Sequence, residues 1–140
     1  ESVGIFMTDV PEINVPALVA AARKARLNAH APYSKFMVGA AVLDERGTVS
    51  VGCNMENAAY PRGTCAEAVA LGAMVASGGK EARAIVIVAG GERLITPCGG
   101  CRQRISELAG PDTIVYCASD SGDRLETMTP EDLLPNGFRL

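Results

Sequence analysis

The feature that most constrains the fold of this chain is a set of three cysteines in two separate segments. Thr64-Cys65-Ala66-Glu67 supplies one thiol and a carboxylate, and Pro97-Cys98-Gly99-Gly100-Cys101 supplies two more thiols. Each segment has the composition of a helix start, and each follows a strand-like segment, so the two helix N-termini can meet at one edge of a sheet. Three thiolates can hold a zinc ion and leave its fourth position open for water. The sequence therefore predicts a sulfur-based metal site shared by two helices.

Two other interpretations of the thiols stay open on the sequence alone. A closed structural zinc site needs a fourth protein ligand, which Cys53, Cys117 or His30 could supply. A redox dithiol would use only the Cys98-x-x-Cys101 pair. Cys53 and Cys117 stand in strand-like segments and have the character of small buried hydrophobes. The number of available ligands therefore favours an open, catalytic site.

Glu67 also allows two interpretations. Thr64-x-x-Glu67 matches a capping box, in which Thr64 caps the helix and the glutamate bonds back to the Thr64 backbone N–H. If Cys65 holds a metal ion, however, Glu67 lies near the open coordination position. A carboxylate in that place can act as general acid and base.

The charge of such a site must be balanced. Three thiolates and Zn²⁺ leave one excess negative charge, which would make a bound water a weaker acid. Helix N-termini aimed at the sulfurs would offset part of it. Arg62 and Arg102 lie nearby in the sequence and could add to this effect.

Alternating strand-like and helix-like segments predict an α/β fold in a single domain that spans residues 1–140. The continuous apolar run 84–89 is typical of a central strand buried on both faces. Residues 1–13 look irregular. Helices are expected over 14–29, with Asn14 as the cap, 64–77, 97–110 and 130–134, and strands over 35–44, 48–54, 84–89, 113–117 and 124–128. This order implies a mixed sheet with helices on its faces.

Composition and charge exclude several functional classes. The chain is 48% hydrophobic and 21% charged, which suits a packed core, and its net charge of −3 argues against a nucleic-acid partner. Gly4-Ile5-Phe6-Met7 is too short for a signal-peptide core, and no apolar run is long enough for a membrane span. We therefore expect a cytoplasmic protein, in which clustered cysteines indicate metal binding or catalysis before disulfides.

Five motifs follow one another along the chain: Tyr33-Ser34-Lys35-Phe36-Met37-Val38-Gly39-Ala40-Ala41, Asn54-Met55-Glu56-Asn57-Ala58-Ala59-Tyr60, Cys65-Ala66-Glu67, Pro97-Cys98-Gly99-Gly100-Cys101-Arg102-Gln103 and Leu133-Leu134-Pro135. In kind and order they resemble the motifs of the homotetrameric cytidine deaminases. The resemblance runs from about residue 29 to residue 138. It implies a three-layer α/β/α sandwich with a five-stranded mixed sheet. It also implies hydrolytic deamination of cytidine or deoxycytidine.

The resemblance implies that Cys65, Cys98 and Cys101 bind one zinc ion per subunit and that Glu67 is the proton shuttle. The chain departs from the family at one charged position. Family members commonly carry an arginine directly after the glutamate, and this chain has Ala68 there. We expect Arg62 or Arg102, with the helix dipoles, to balance the thiolate charge instead. Met37, where proline is usual, has no expected effect on the chemistry.

The resemblance also implies a substrate site. Phe36 would pack against the pyrimidine ring, and the Ala66 backbone N–H would bind the C2 carbonyl. Asn54 and Glu56 would bind the ribose 3′-hydroxyl. Residues two apart in a strand point the same way, so this pair could form a clamp for a sugar hydroxyl, and a polar strand end is the less favoured alternative. Taken alone, Phe36 would be assigned to the core.

Tyr60 and Phe138 would complete a neighbouring subunit's pocket in a homotetramer or a dimer. The closest rival function is that of an enzyme similar to blasticidin S deaminase, but the presence of both Asn54 and Glu56 favours a ribonucleoside sugar. A polynucleotide-editing deaminase fits less well with a short acidic chain. A non-enzymatic zinc-stapled binding module is the alternative from a different class.

Overall fold

A five-stranded mixed sheet forms the centre of the protein. The structure is a computed structural model and describes residues 12–140. The strands lie in the order β2-β1-β3-β4-β5, with β3 and β4 parallel and all other neighbours antiparallel. Their bounds are β1 Val38–Asp44, β2 Val49–Cys53, β3 Ala82–Ala89, β4 Ala109–Ala118 and β5 Leu125–Met128.

Helices cover both faces of this sheet. Their bounds are α1 Val15–Arg26, α2 Ala66–Ala76, α3 Gly99–Leu108 and α4 Pro130–Leu133, with one 3-10 turn at Tyr60–Arg62. One apolar core lies between α1 and the sheet and includes Leu18 and Val86. The other lies beneath α2, α3 and α4 and includes Met74, Ile105 and Leu133. The predicted three-layer α/β/α sandwich is confirmed.

The central strands explain the apolar runs of the sequence. Every residue of β1 is buried, and β3 is buried along nearly all of its length, because helices cover both faces. Gly52 in β2 allows α2 to approach very closely. A Cβ at this position would collide with the backbone of Ala66 and Ala70.

Strand direction places α2 and α3 at the same edge of the sheet. β2 and β3 both pair antiparallel with β1, so they run in the same direction and end at the same edge. The chain enters α2 after β2 and enters α3 after β3. The N-termini of these two helices therefore lie side by side, as the cysteine pattern requires.

Several predicted boundaries are wrong. α1 ends at Arg26, three residues early, because the chain tightens there into turn hydrogen bonds. Residues 35–37 do not belong to β1: Lys35 takes the left-handed conformation, with φ of 59°. Residues Gly110-Pro111 do not end α3 but lie inside β4, where Thr113 Oγ1 accepts from Gly110 N and donates to the Ala82 carbonyl.

The prediction that residues 1–13 are irregular falls almost wholly outside the described range. Within that range, no helix combines the length and the apolar character that a membrane span requires.

Candidate active site

Cys65 occupies the cap position of α2, which the sequence analysis assigned to Thr64. Thr64 instead exchanges two backbone hydrogen bonds of 2.9 Å with Met55. This bridge holds Thr64 in extended conformation, so the helix begins one residue later than expected. The Thr64 backbone N–H is already satisfied by Met55, so the capping-box interpretation of Glu67 is wrong.

Cys98 occupies the same position in α3. The helix begins at Gly99, so Cys98 is the cap and Cys101 is the third helical residue. Side chains at these two positions converge over the first turn of a helix, which is why capping boxes use the same spacing. Cys98 is exposed, whereas Cys101 is fully buried.

The three sulfurs fit one zinc ion. The Sγ atoms of Cys65, Cys98 and Cys101 all lie within 4.8 Å of one another, and those of Cys65 and Cys98 are 3.7 Å apart. Tetrahedral zinc with bonds of about 2.3 Å places neighbouring sulfurs about 3.8 Å apart. Over residues 12–140, no fourth ligating side chain joins this group. The site is therefore an open three-thiol site with the sulfur spacing that a tetrahedral zinc ion needs.

The electrostatics of the thiols also favour a cation. Contact with the Cys101 and Cys98 thiols lowers the pKa of Cys65 to about 6, although partial burial opposes the shift. The contact with Cys65, together with burial, raises the pKa of Cys101. The Cys65 thiolate therefore forms readily, and the Cys101 thiolate forms when a metal ion supplies the compensating charge. Cys117 is not part of the group, and burial raises its pKa to about 12.

Glu67 is the second residue of α2 and is only 4% exposed. Burial raises the pKa of its carboxyl group, and the nearby Cys65 thiolate acts in the same direction. A buried carboxylate beside a metal site can exchange protons with a reacting molecule.

A cavity of about 570 Å³ opens in front of these groups. Among its walls are six of the predicted site residues: Phe36, Asn54, Cys65, Ala66, Glu67 and Cys98. Residues 93–96 of the loop before α3 also line the cavity, and the sequence analysis did not identify them. Loops of this kind carry no motif, so only the fold reveals that they face a site.

Asn54 fixes the shape of this cavity. Its Nδ2 donates to the Phe36 carbonyl, and its Oδ1 accepts from the Val38 backbone N–H, both at 2.8 Å. One donor hydrogen and one acceptor lone pair of the amide remain available. Asn54 therefore anchors the segment that carries Phe36 and still presents polar groups to the cavity.

Glu56 lines a different cavity, together with Tyr60 and the 33–34 segment. One carboxylate oxygen accepts from the backbone N–H groups of Tyr33 and Ser34, at 3.0 and 3.1 Å. The Ser34 hydroxyl accepts in turn from the Phe36 N–H. Ser34 was missed by the sequence analysis, although it lies within a quoted motif.

Phe138 lies farther away, in a groove between α2 and α3 that also contains Ala68. Its side chain is 69% exposed, and that of Tyr60 is 79% exposed. Within the described chain, neither aromatic residue reaches the cavity that holds Glu67.

Comparison with known proteins identifies the family. The model of the cytidine and deoxycytidylate deaminase zinc-binding region matches residues 14–118. The cytidine deaminase of Sporosarcina psychrophila is 44% identical over 126 residues, which cover 90% of this chain and 92% of that protein. The 1.6 Å crystal structure of cytidine deaminase from Burkholderia pseudomallei is 41% identical with a TM-score of 0.84, covering 90% of this chain and 100% of that one. Blasticidin-S deaminase of Bacillus cereus is 33% identical over 110 residues, which cover 73% of this chain and 76% of that protein. The chain belongs to the cytidine and deoxycytidylate deaminase family of zinc-binding enzymes.

Proposed function

We propose that this chain catalyses the hydrolytic deamination of cytidine and deoxycytidine. The observation that carries the proposal is the buried Glu67, which stands beside the thiol group and faces the 570 Å³ cavity. Zinc bound there would lower the pKa of a coordinated water and so supply a nucleophile at neutral pH. The products are uridine or deoxyuridine and ammonia.

Glu67 carries the protons in this reaction. Its carboxylate accepts a proton from the attacking water and delivers it to ring N3, which makes C4 more electrophilic as the C4–O bond forms. It then takes the remaining proton from that oxygen and gives it to the amino group. The C4–N bond breaks and ammonia leaves, so one water is consumed for each ammonia released.

The remaining cavity residues bind and orient the nucleoside. Phe36 packs against the pyrimidine ring. The Ala66 N–H contacts the C2 carbonyl, since the first N–H groups of a helix have no acceptor within it. Asn54 and Glu56 bind the ribose 3′-hydroxyl. They do so with the hydrogen-bonding capacity of their side chains that is not taken up by the backbone of residues 33–38. Because Glu56 lines the separate cavity beside Tyr60, its role requires the sugar to extend from the 570 Å³ cavity into that one.

We further propose that pockets are completed by neighbouring subunits of a homotetramer, with a dimer as the alternative. Tyr60 and Phe138 support this, because each lies in a group of exposed apolar side chains, Tyr60 beside Tyr33 and Phe138 beside Leu140, and such patches mark interfaces. Light scattering of the purified protein distinguishes the two states. A monomer that retains full turnover would contradict the shared pocket.

We assign the reaction to pyrimidine salvage in the cytoplasm. Three thiolate ligands require a compartment that keeps thiols reduced. Fractionation of the source cells, with cytidine turnover followed in each fraction, tests the location.

The experiment that tests the activity is an ultraviolet assay of cytidine loss. Turnover is measured on the purified protein, after zinc removal by a chelator, and after zinc is returned. We expect activity to disappear and then recover, with one ammonia for each cytidine lost. Faster turnover of blasticidin S than of cytidine would overturn the substrate assignment. Tightly bound zinc without ammonia release from either compound would indicate a non-enzymatic zinc module.

A further inference from the structure

The three-thiolate site carries a charge that the helix N-termini offset only in part. Cys65 and Cys98 cap α2 and α3, so each sulfur lies at the positive end of a helix dipole. Three thiolates with Zn²⁺ still leave one excess negative charge. A nearby side-chain cation would reduce the electron density on the sulfurs and stabilise the deprotonated, metal-binding form.

The two arginines expected from the sequence are poorly suited to this role. Arg102 is already engaged by three acceptors: the Pro97 carbonyl at 2.8 Å, the Leu133 carbonyl at 3.0 Å and Thr96 Oγ1 at 3.1 Å. It therefore ties the start of α3 to α4. Arg62 is exposed in the 3-10 turn and lines none of the cavities described above.

Arg104 has the required position. It follows Cys101 by three residues, on the same face of α3. Its side chain extends back toward the helix N-terminus, and Nη1 lies 3.3 Å from the point that a Cβ on Gly100 would occupy. The guanidinium group therefore lies beside the turn that carries the thiols. No ion pair among residues 12–140 engages it.

Arg104 also faces α2. Together with Ala68, the residue after Glu67, it lines the groove between the two helices. We propose that Arg104 is the cation that balances the negative charge of the three-thiolate zinc site. It acts from α3, across the groove from the uncharged Ala68 of α2. Its effect on zinc retention follows from the site alone, and its effect on turnover rests on the proposed function.

The test replaces the charge while preserving the length of the side chain. In the assembled zinc protein, Arg104→Met should raise the zinc dissociation constant about three- to tenfold at low salt, and Arg104→Lys should change it little. Because Arg104 is exposed, the difference between the Met and Lys variants should shrink at about 0.5 M salt. Ala68→Arg added to Arg104→Met should restore zinc retention. Arg83→Met, at the opposite edge of the sheet, is the control and should have no effect.

Equal zinc retention in the Met and Lys variants, or a difference that salt does not change, would overturn the proposal. The mass of the assembled protein and its melting temperature must be the same in each variant as in the wild type. A loss of zinc then cannot be attributed to a loss of assembly or folding. If the zinc results hold and the wild-type protein does not deaminate cytidine, the proposed function fails and the role of Arg104 stands. If turnover per bound zinc also falls in Arg104→Met, the same charge assists catalysis.

Discussion

Two parts of the lining of the 570 Å³ cavity are built in different ways: the part that carries the thiols, called the metal wall, and the part proposed to bind the nucleoside, called the substrate wall. The metal wall consists of residues in the first turns of α2 and α3, which are packed on the sheet. The substrate wall consists of Phe36 and Asn54, which lie outside regular structure and are joined by hydrogen bonds from side chains to backbone. Sites on helices are held more rigidly than sites on loops. Substitutions in the metal wall should therefore abolish zinc binding or turnover, whereas substitutions in the substrate wall should reduce turnover by degrees.

The largest effect should follow loss of the buried ligand. We expect Cys101→Ala to lower zinc affinity by more than the roughly 100-fold typical of residues that only support ligands, and to abolish turnover. The zinc content of the purified variant reports the first effect, and its cytidine turnover reports the second. Cys53→Ala removes a thiol outside the cluster and should retain zinc. Strong zinc binding by Cys101→Ala would mean that another group supplies the third ligand.

Glu67→Gln should separate chemistry from metal binding. The amide has nearly the same shape and cannot transfer protons, so turnover should fall by about 10²- to 10⁴-fold while zinc remains bound. Turnover and zinc content are measured on the same sample. Turnover within a few-fold of the wild type would remove Glu67 from the role of proton carrier.

Asn54→Ala should give a graded effect at the substrate wall. Two hydrogen bonds that fix the Phe36 segment are lost, at about 1 kcal/mol each. We expect KM to rise about tenfold with a smaller change in kcat, and the melting temperature to fall. The exposed Asn28→Ala is the matched control. A fall in kcat with unchanged KM would contradict a positioning role.

The smallest effect concerns Glu56 and depends on pH. The Ser34 hydroxyl and the backbone N–H groups that donate to Glu56 hold its pKa below the usual 4.5. A carboxylate with a lowered pKa stabilises the folded state above its unfolded pKa, and this contribution is lost as pH falls through the folded pKa. The stability difference between wild type and Glu56→Gln should therefore be constant above about pH 5 and shrink in more acidic solution.

Thermal melts between pH 7 and pH 3.5 follow this difference, with Glu126→Gln as the control. A stability difference between the wild type and Glu56→Gln that grows as the pH falls would show that the ionised carboxylate is not the stabilising form of Glu56.

The same contrast explains what the sequence could predict. The metal wall depends on local spacing: Cys98 and Cys101 converge because both lie within one helical turn, and the order of strands brings Cys65 to the same edge. Arg104 was also within reach, since it stands one turn beyond Cys101. The exact N-cap residue of α2 could not be predicted, because Thr64 is held by hydrogen bonds to Met55. That pairing depends on the conformation of the loop between the two residues.

The substrate wall depends on contacts between distant segments. The sequence placed Asn54 and Glu56 on one side of a strand, but β2 ends at Cys53 and the two side chains line different cavities. Residues 93–96 carry no motif and become part of the site only through the fold. The roles proposed for the exposed Tyr60 and Phe138 depend on neighbouring subunits, and contacts between subunits leave no local pattern in the sequence.

X-ray absorption spectroscopy of the bound metal tests the central claim most directly. Three thiolates with one open position predict three sulfur neighbours at about 2.3 Å and one lighter neighbour at about 2.0 Å, which changes when a substrate analogue is added. Four sulfur neighbours, or a first shell that no analogue alters, would show a closed structural site and contradict the account.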